Sequence, residues 1–123
     1  MPLMTFPSAK GIASGILTAV LASVLALISA EASAETIFVK YRGLVDLAPF
    51  SCQTVTRSSL IRRVCYDSRE KYMIINLQGI YYHYCEIDSG TVNQLLGAES
   101  MGRFYIAVIK GRFDCRTGRV PTY

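Results

Sequence analysis

The sequence predicts a small α+β domain, in which an antiparallel sheet is covered on one face by two short helices. Three observations lead to this fold class. The stretch 60–87 alternates strand-favouring segments with turn residues. The residues after it have the apolar spacing and the capping residues of helices. Four cysteines in a chain of 123 residues indicate that disulfide bonds staple a single small domain.

Residues 1–34 have the three parts of a secretory signal peptide. Lys10 gives the start a positive charge, residues 12–30 are uncharged and apolar, and Ala32-Ser33-Ala34 matches the small-residue pattern of a cleavage site. Cleavage near Ala34 would make the protein periplasmic or secreted, with no stable membrane span. The alternative is a retained anchor, since about 20 apolar residues can span a bilayer.

All four cysteines follow the predicted cleavage site. An even number of cysteines in a short exported chain predicts two disulfide bonds. No metal site is expected, because the sequence has no C-x-x-C pair and His83 is its single histidine.

An N-terminal extension over 35–57 comes first in the exported part. Strand-favouring residues alternate within it, which predicts one strand near Ile37–Leu44. Pro49 ends this regular pattern, and residues 50–59 have the composition of a connecting loop.

Residues 60–87 predict three strands of an antiparallel meander, to which the N-terminal strand would add a fourth. The first strand, Leu60–Tyr66, ends at turn residues around Ser68-Arg69. The second, Tyr72–Leu77, is joined to the third by Gln78-Gly79, a plausible two-residue hairpin turn because glycine accepts a positive φ.

This register divides the side chains between two faces. The turn at Gln78-Gly79 sets Leu77 opposite Ile80, and a turn at Ser68-Arg69 sets Val64 opposite Met73. The expected core face carries Val64, Met73, Ile75, Leu77, Ile80, Tyr82 and Tyr84. The second face is mixed in character and is expected to be half covered; it carries Arg63, Cys65, Tyr72, Ile74, Asn76, Tyr81, His83 and Cys85.

The register also bears on the disulfide pairing. Cys65 and Cys85 are separated by a whole strand, about 9–10 Å, which is farther than a disulfide reaches. Two pairings remain open. We predict Cys52–Cys65 with Cys85–Cys115, because this pairing closes the shorter loops.

Two short helices are expected after the sheet. Asp88 or Ser89 can cap the first, which runs to about Ala98, and Ser100 can cap the second, over Met101–Lys110. Gly111 would end the second helix at a left-handed position. The run FYIAVI within it also suits a strand. Residues 114–123 form a basic tail that is expected to be loose beyond its cysteine.

Several motifs recur in a fixed order through this region. They are Arg57-Ser58-Ser59-x-Ile61-x-x-Val64-x-Tyr66-Asp67, then Gly79-x-x-Tyr82-x-Tyr84, then Ala98-x-Ser100-x-Gly102-x-Phe104 and Ile109-Lys110. In this order they resemble the KTSC domain, over residues 58–113. That family is named for its occurrence at the C-terminus of some lysyl-tRNA synthetases, and it also occurs alone in small bacterial proteins.

The resemblance implies little about activity. The family has no established activity. RNA binding has been suggested because the domain occurs in the same chain as some lysyl-tRNA synthetases. The export signal, the four cysteines and the added segment 35–56 depart from the family pattern. Each of these argues against an intracellular RNA role.

The functional expectation is a non-enzymatic binding module that needs no cofactor. The sequence has no Gly-rich phosphate loop and no G-x-S-x-G motif, and its net charge of +4 favours an anionic partner. An anionic polymer, a lipid head group or a protein of the bacterial envelope would fit. The candidate binding residues are Arg62, Arg63, Lys71, Tyr72, Tyr81 and His83.

Two alternatives belong to other classes of function. The first is a nucleic-acid-binding domain in which Tyr72 or Tyr81 stacks on bases. The second is a thiol-dependent enzyme that uses Cys85 and His83. Export disfavours the second, because it favours oxidation of Cys85. Tyr82 and Tyr84 are expected in the core.

Overall fold

Six β-strands form one curled sheet in the computed structural model of the protein, which describes residues 34–123. They are β1 (Thr36–Val39), β2 (Gly43–Asp46), β3 (Ser51–Thr54), β4 (Ile61–Asp67), β5 (Tyr72–Leu77) and β6 (Ile80–Tyr84). The strand order is β2-β1-β6-β5-β4-β3. Every neighbouring pair is antiparallel except β1 and β6, which run parallel. The α+β class is confirmed, but the expected meander of three to four strands forms only part of the sheet.

Helical structure follows the sheet. Helix α1 spans Ser89–Gly97, and helix α2 spans Met101–Phe104 and continues as a π-helical turn over Tyr105–Ile109. Asp88 and Ser100 cap the two helices as expected, by accepting hydrogen bonds from backbone N–H groups three residues on. The strand alternative for FYIAVI is therefore wrong.

The helices cover one face of the central strands. The buried residues of this first core are Ile61, Val64, Met73, Ile75, Ile87, Val92, Leu95, Met101, Tyr105 and Ile109, with Leu77, Tyr82 and Tyr84 packed at its margin. Ile80, expected in the core, lies at the β5–β6 turn, is 47% exposed and does not join this core.

The register of β5 and β6 is the predicted one, with Leu77 opposite Ile80. The predicted register of β4 and β5 is wrong by two residues. Val64 lies opposite Ile75 and not opposite Met73. The loop at 68–71 is longer than the expected turn, and Lys71 takes a positive φ of 51° within it. Because side chains alternate, a shift of two residues keeps each one on its predicted face.

The N-terminal extension supplies a second core. It forms the β1–β2 hairpin instead of one strand, since Tyr41 and Gly43 take positive φ values of 71° and 104° at the turn. The hairpin buries its inner residues against the second face of the sheet. This core comprises Ile37, Val39, Val45, Leu47, Cys65, Tyr72, Ile74 and Cys85. The second face is thus more fully covered than expected.

Strand β3 arises in the segment expected to be a loop. It pairs with β4, and Cys52 lies directly opposite Cys65. The two disulfides are Cys52–Cys65 and Cys85–Cys115, with Cα–Cα distances of 4.0 Å and 4.9 Å. Each is expected to stabilise the fold by about 2–4 kcal/mol in the chain-entropy account. Two disulfides in so small a domain suggest an oxidising location, as exported proteins meet.

The C-terminal tail is packed against the domain, contrary to the loose tail expected. The Tyr123 hydroxyl donates to Oδ2 of the buried Asp67 at 2.9 Å, and Arg42 donates to the Pro121 carbonyl at 2.7 Å. Arg119 forms an ion pair with Glu70 at 2.8 Å. These contacts join the tail to the β4–β5 loop and to the N-terminal hairpin.

Residues 34–123 contain no helix with the length and apolar character that a membrane crossing requires. Residues 1–33 of the predicted signal peptide lie outside the described residues.

Candidate ligand-binding site

Three segments far apart in the sequence enclose an open cleft of about 810 Å³. The β1–β2 turn, strand β6 and the segment after the π-helical turn each contribute to its walls. The lining residues are Tyr41, Arg42, Tyr82, His83, Tyr84, Gly111, Arg112, Asp114, Cys115, Arg116 and Val120. The Cys85–Cys115 disulfide ties the third segment to the end of β6.

The rim of the cleft is basic and aromatic. Tyr41 is 82% exposed, and Arg112 and Arg116 are exposed beside it in the lining. The Lys40 Nζ lies 5.3 Å from the centre of the Tyr41 ring and 5.6 Å from that of Tyr82. Cations and flat apolar rings therefore occur together at the cleft mouth.

One acidic side chain partly offsets this positive charge. Asp114 accepts from Arg116, with an ion-pair distance of 2.7 Å, and these bonds hold the pKa of Asp114 at about 2. Its charge is therefore fixed at neutral pH. Three arginines against one aspartate leave the lining with a positive charge, which attracts anions.

Arg42 forms the inner wall. Its guanidinium lies over the rings of Tyr72 and Tyr123, at 5.1 Å and 5.4 Å from their centres. Nη2 donates to the Pro121 carbonyl, whereas Nη1 is buried with no hydrogen-bond partner among the described residues. The charge of Arg42 is thus fixed at the inner wall of the cleft by the Pro121 carbonyl and two aromatic rings.

His83 is the histidine of the lining, contributed by strand β6. Its Nδ1 lies 2.7 Å from the Tyr72 hydroxyl. Burial lowers the pKa of His83, and the Arg42 charge lowers it further. Burial also raises the pKa of Tyr72, so its hydroxyl stays protonated. We assign the hydroxyl as donor to Nδ1 of a neutral imidazole, which places the ring proton on Nε2.

The two tyrosines beside His83 have different environments. The Tyr84 hydroxyl makes a short hydrogen bond to the Tyr105 hydroxyl, and the two rings meet edge to face with centres 6.0 Å apart. Tyr84 is therefore anchored to the helical layer. Tyr82 packs at the margin of the first core and also faces the cleft near Lys40.

The residues predicted to bind form two contacting pairs, Tyr72 with His83 and Arg63 with Tyr81, but they do not form one exposed surface. Tyr72 is completely buried, so the expectation that its ring is exposed for recognition is wrong. Tyr81 is half-buried, and its hydroxyl accepts from Arg63 at 3.3 Å. Arg63 also forms an ion pair with Glu35 at 2.7 Å, which occupies its guanidinium.

The remaining predicted residues lie apart from one another. Arg62 and Lys71 are exposed at opposite ends of β4, one near its start and one in the loop after it. Of the predicted set, His83 alone lines the cleft. The alternative of a thiol enzyme requires a free Cys85, and Cys85 is bonded to Cys115.

Sequence reasoning missed the cleft residues from the hairpin turn and from the segment 111–116. Tyr41 and Arg42 precede Gly43, and a glycine that interrupts an alternating strand pattern signals a turn. The predicted Cys85–Cys115 pairing could also have located part of the cleft. It places Asp114 and Arg116 beside the end of the strand that carries His83.

Comparison with known proteins gives a consistent picture. The KTSC domain profile matches residues 57–113. Among solved structures, a KTSC domain protein from Yersinia pestis is 30% identical to the chain, with 51% of this chain and 89% of that one covered and a TM-score of 0.48. None of the curated proteins matches.

The cleft crosses the boundary of the matched region. Tyr82–Tyr84 and Gly111–Arg112 lie inside 57–113, whereas Tyr41, Arg42 and Asp114–Arg116 lie outside it. The extensions on both sides thus complete the site. Because the profile match is joined by a relative of 30% identity whose length is 89% covered, the chain belongs to the KTSC domain family.

Proposed function

We propose that the protein is an exported, non-enzymatic binding module that holds an anionic ligand in the cleft. The observation that carries this proposal is the set of three arginines, Arg42, Arg112 and Arg116, around one open concavity of about 810 Å³. Guanidinium groups suit this role because they stay charged and offer several donors to carboxylate, sulfate or phosphate oxygens.

The proposed compartment is the periplasm or the extracellular space. The two disulfides support this compartment, because such bonds persist in oxidising surroundings. The ligands available there include anionic polymers of the bacterial envelope. A polymer with repeated sulfate, phosphate or carboxylate groups would meet the exposed Arg112 and Arg116 first.

Binding of a sulfated heparin oligosaccharide, measured by calorimetry at several salt concentrations, tests the proposal. The variant Arg112→Ala/Arg116→Ala should bind about tenfold more weakly or worse, since two charge-assisted contacts are lost. Its matched control, Arg62→Ala/Arg103→Ala, removes the same charge at exposed positions outside the cleft. Less than a twofold change is expected for the control.

The proposal fails if both variants lose affinity equally, because net charge alone would then explain the binding. It also fails if the wild-type protein binds no anionic ligand at any salt concentration. Circular dichroism and urea denaturation of each variant would show that the fold is retained.

Nucleic acid is a second candidate, favoured by the exposure of Tyr41. A ring that is 82% exposed beside Lys40 and two arginines could stack on an unpaired base while the cations contact phosphates. Single-stranded oligo-dT and a polyphosphate of equal charge separate the two functions. Tyr41→Ala should weaken oligo-dT binding by roughly 1–3 kcal/mol and leave polyphosphate binding unchanged. Equal affinity for both ligands, with no effect of Tyr41→Ala, rules out base recognition.

A further inference from the structure

Three potential metal ligands lie close together, and two of them, His83 and Cys115, line the cleft. One donor atom from each of His83, Cys85 and Cys115 lies within 4.8 Å of the others. The two sulfurs are bonded to each other, so neither can bind a metal in this state. The predicted Cys85–Cys115 pairing already brings these residues together, because His83 lies two positions before Cys85.

The donor set is one that zinc prefers. Cysteine thiolates and histidine nitrogens hold zinc in tetrahedral sites, and three protein ligands leave the fourth position open. Both thiolates can reach one metal ion when their sulfurs lie about 3.7 Å apart, as zinc–sulfur distances of about 2.3 Å require. Cys115 lies in a turn after the π-helical turn, outside any helix or strand.

The surroundings already hold the histidine in place. Histidines that bind metals usually form a hydrogen bond through their second ring nitrogen, which fixes the orientation of the ring. The Tyr72 hydroxyl, 2.7 Å from Nδ1 of His83, provides this contact. When a metal takes Nε2, the ring proton moves to Nδ1 and is donated to the Tyr72 oxygen. Tyr72 is itself fully buried, so the ring orientation does not depend on an exposed side chain.

The two cysteines differ in access. Cys85 is 1% exposed, whereas Cys115 is half-buried and lines the cleft. A thiol reductant would therefore attack the sulfur of Cys115. The positive charges of Arg42, Arg112 and Arg116 around the cleft favour the thiolate forms that a metal needs.

We propose that reduction of the Cys85–Cys115 disulfide creates a zinc site, with His83, Cys85 and Cys115 as ligands and the fourth position open to the cleft. A dithiol reductant supplies two electrons and two protons, gives two cysteine thiols and becomes a disulfide itself. Zinc then displaces the two thiol protons, which pass to solvent, and forms two zinc–sulfur bonds. The zinc site adjoins the proposed anion site in the same cleft, but it does not depend on the proposed function.

Cobalt(II), a spectroscopic substitute for zinc, tests the proposal. The full chain is reduced with a phosphine, freed of reductant without oxygen, and titrated with Co²⁺. The expected result is one Co²⁺ per chain, with the visible absorption bands of tetrahedral cobalt, thiolate charge-transfer bands in the near ultraviolet, and loss of both on addition of zinc. The protein with intact disulfides should show none of these bands.

Variants identify the ligands. Cys52→Ala/Cys65→Ala leaves only the proposed pair and should keep the bands, whereas Cys85→Ser/Cys115→Ser should abolish them. His83→Gln should lower cobalt affinity by at least tenfold. If Cys52→Ala/Cys65→Ala fails to fold, comparison of the reduced wild-type protein with reduced Cys85→Ser/Cys115→Ser still shows whether Cys85 and Cys115 bind the metal.

Three results would overturn the proposal. Reduced protein that binds no cobalt, whether folded or unfolded, has no such site. Bands that survive Cys85→Ser/Cys115→Ser would assign the metal to other residues. Bands that His83→Gln leaves at full affinity would exclude the histidine ligand.

Discussion

Tyr72 connects the second core to the cleft. Its ring is fully buried, with the rings of Phe50 and Tyr123 centred 5.9 Å and 6.2 Å away. Its hydroxyl reaches His83, and the Arg42 guanidinium lies over its face. One side chain thus positions both the central histidine and the innermost cation of the cleft.

Tyr72→Ala should therefore destabilise the protein strongly. Removal of a buried aromatic side chain costs about 3–5 kcal/mol, because transfer free energy is lost and a cavity remains. Urea denaturation of the wild-type protein and the variant measures the difference. Tyr41→Ala is the matched control, since Tyr41 is 82% exposed and its truncation should change stability by less than about 0.5 kcal/mol. Similar losses for the two variants would contradict the burial of Tyr72.

The burial of Tyr72 shows a limit of reasoning from local sequence. The alternation of β5 places Tyr72 on the second face of the sheet, and this placement is confirmed by its position in the second core. What covers that face depends on residues 37–47, whose hairpin is about thirty residues earlier in the chain. A pattern with period two gives the face of a side chain but not its covering partner.

Helix α1 is held at both ends by side chains. At its N-terminus the Asp88 carboxylate accepts from the Thr91 hydroxyl at 2.7 Å and from its N–H at 3.3 Å. At its C-terminus the Arg57 guanidinium donates to the carbonyls of Leu96 and Ala98 at 2.7 Å and 2.8 Å. Both contacts place a charge where the helix dipole favours it.

Arg57→Ala should lower the free energy of unfolding by about 1 kcal/mol, because carbonyls at the end of the helix lose a charged donor. Urea denaturation measures the loss. Arg62→Ala is the control, since Arg62 is exposed on β4 and its replacement removes the same charge. If both variants lose the same stability, Arg57 does not act as a cap.

The cap at Asp88 predicts a pH effect. Its hydrogen bonds, first that from the Thr91 side chain, hold the pKa of Asp88 below its ordinary value of 3.8. A carboxyl with a lowered folded pKa stabilises the fold above its unfolded pKa, and this contribution is lost as the pH falls through the folded value. The cap should therefore weaken only below about pH 3.8.

NMR titration of the Asp88 carboxyl checks this directly. Thr91→Val removes the hydroxyl donor and should raise the pKa of Asp88 toward 3.8. The pKa of Glu35, which the contact with Arg63 lowers, should be the same in both proteins. An Asp88 pKa that Thr91→Val leaves unchanged would show that the hydroxyl does not set it.

The hairpins differ in how well their registers could be predicted. Gln78-Gly79 forms a two-residue turn, with φ values of 54° and 100°, and the register that it fixes is confirmed throughout β5 and β6. The loop after β4 has several residues with turn chemistry, so its length is ambiguous. In the structure, Asp67 Oδ1 accepts from the backbone N–H of Arg69 and helps to set this loop.

Over the whole molecule, the sequence predicted the family domain better than its additions. The fold class, the helices and the register of β5 and β6 are confirmed over residues 57–113. The hairpin, β3 and the packed tail were missed, because short segments pair according to distant partners. The cleft was missed for the same reason, since it needs the hairpin turn and the segment beyond residue 113 in contact with β6.

The extensions also explain why the predicted patch does not form. Glu35, just before β1, occupies Arg63, and the hairpin buries Tyr72. The same hairpin brings Tyr41 and Arg42 to β6. One added element therefore removes the predicted binding face and builds the cleft in its place.

The most direct test of the proposed binding site is an NMR titration of the ¹⁵N-labelled protein with the sulfated oligosaccharide, at low and at physiological salt. Amide shifts should change at 41–43, 82–84 and 111–116, and Arg112→Ala/Arg116→Ala should abolish the changes. Shift changes spread evenly over exposed basic residues, or centred on Arg62 and Arg103, would show that the cleft is not the binding site.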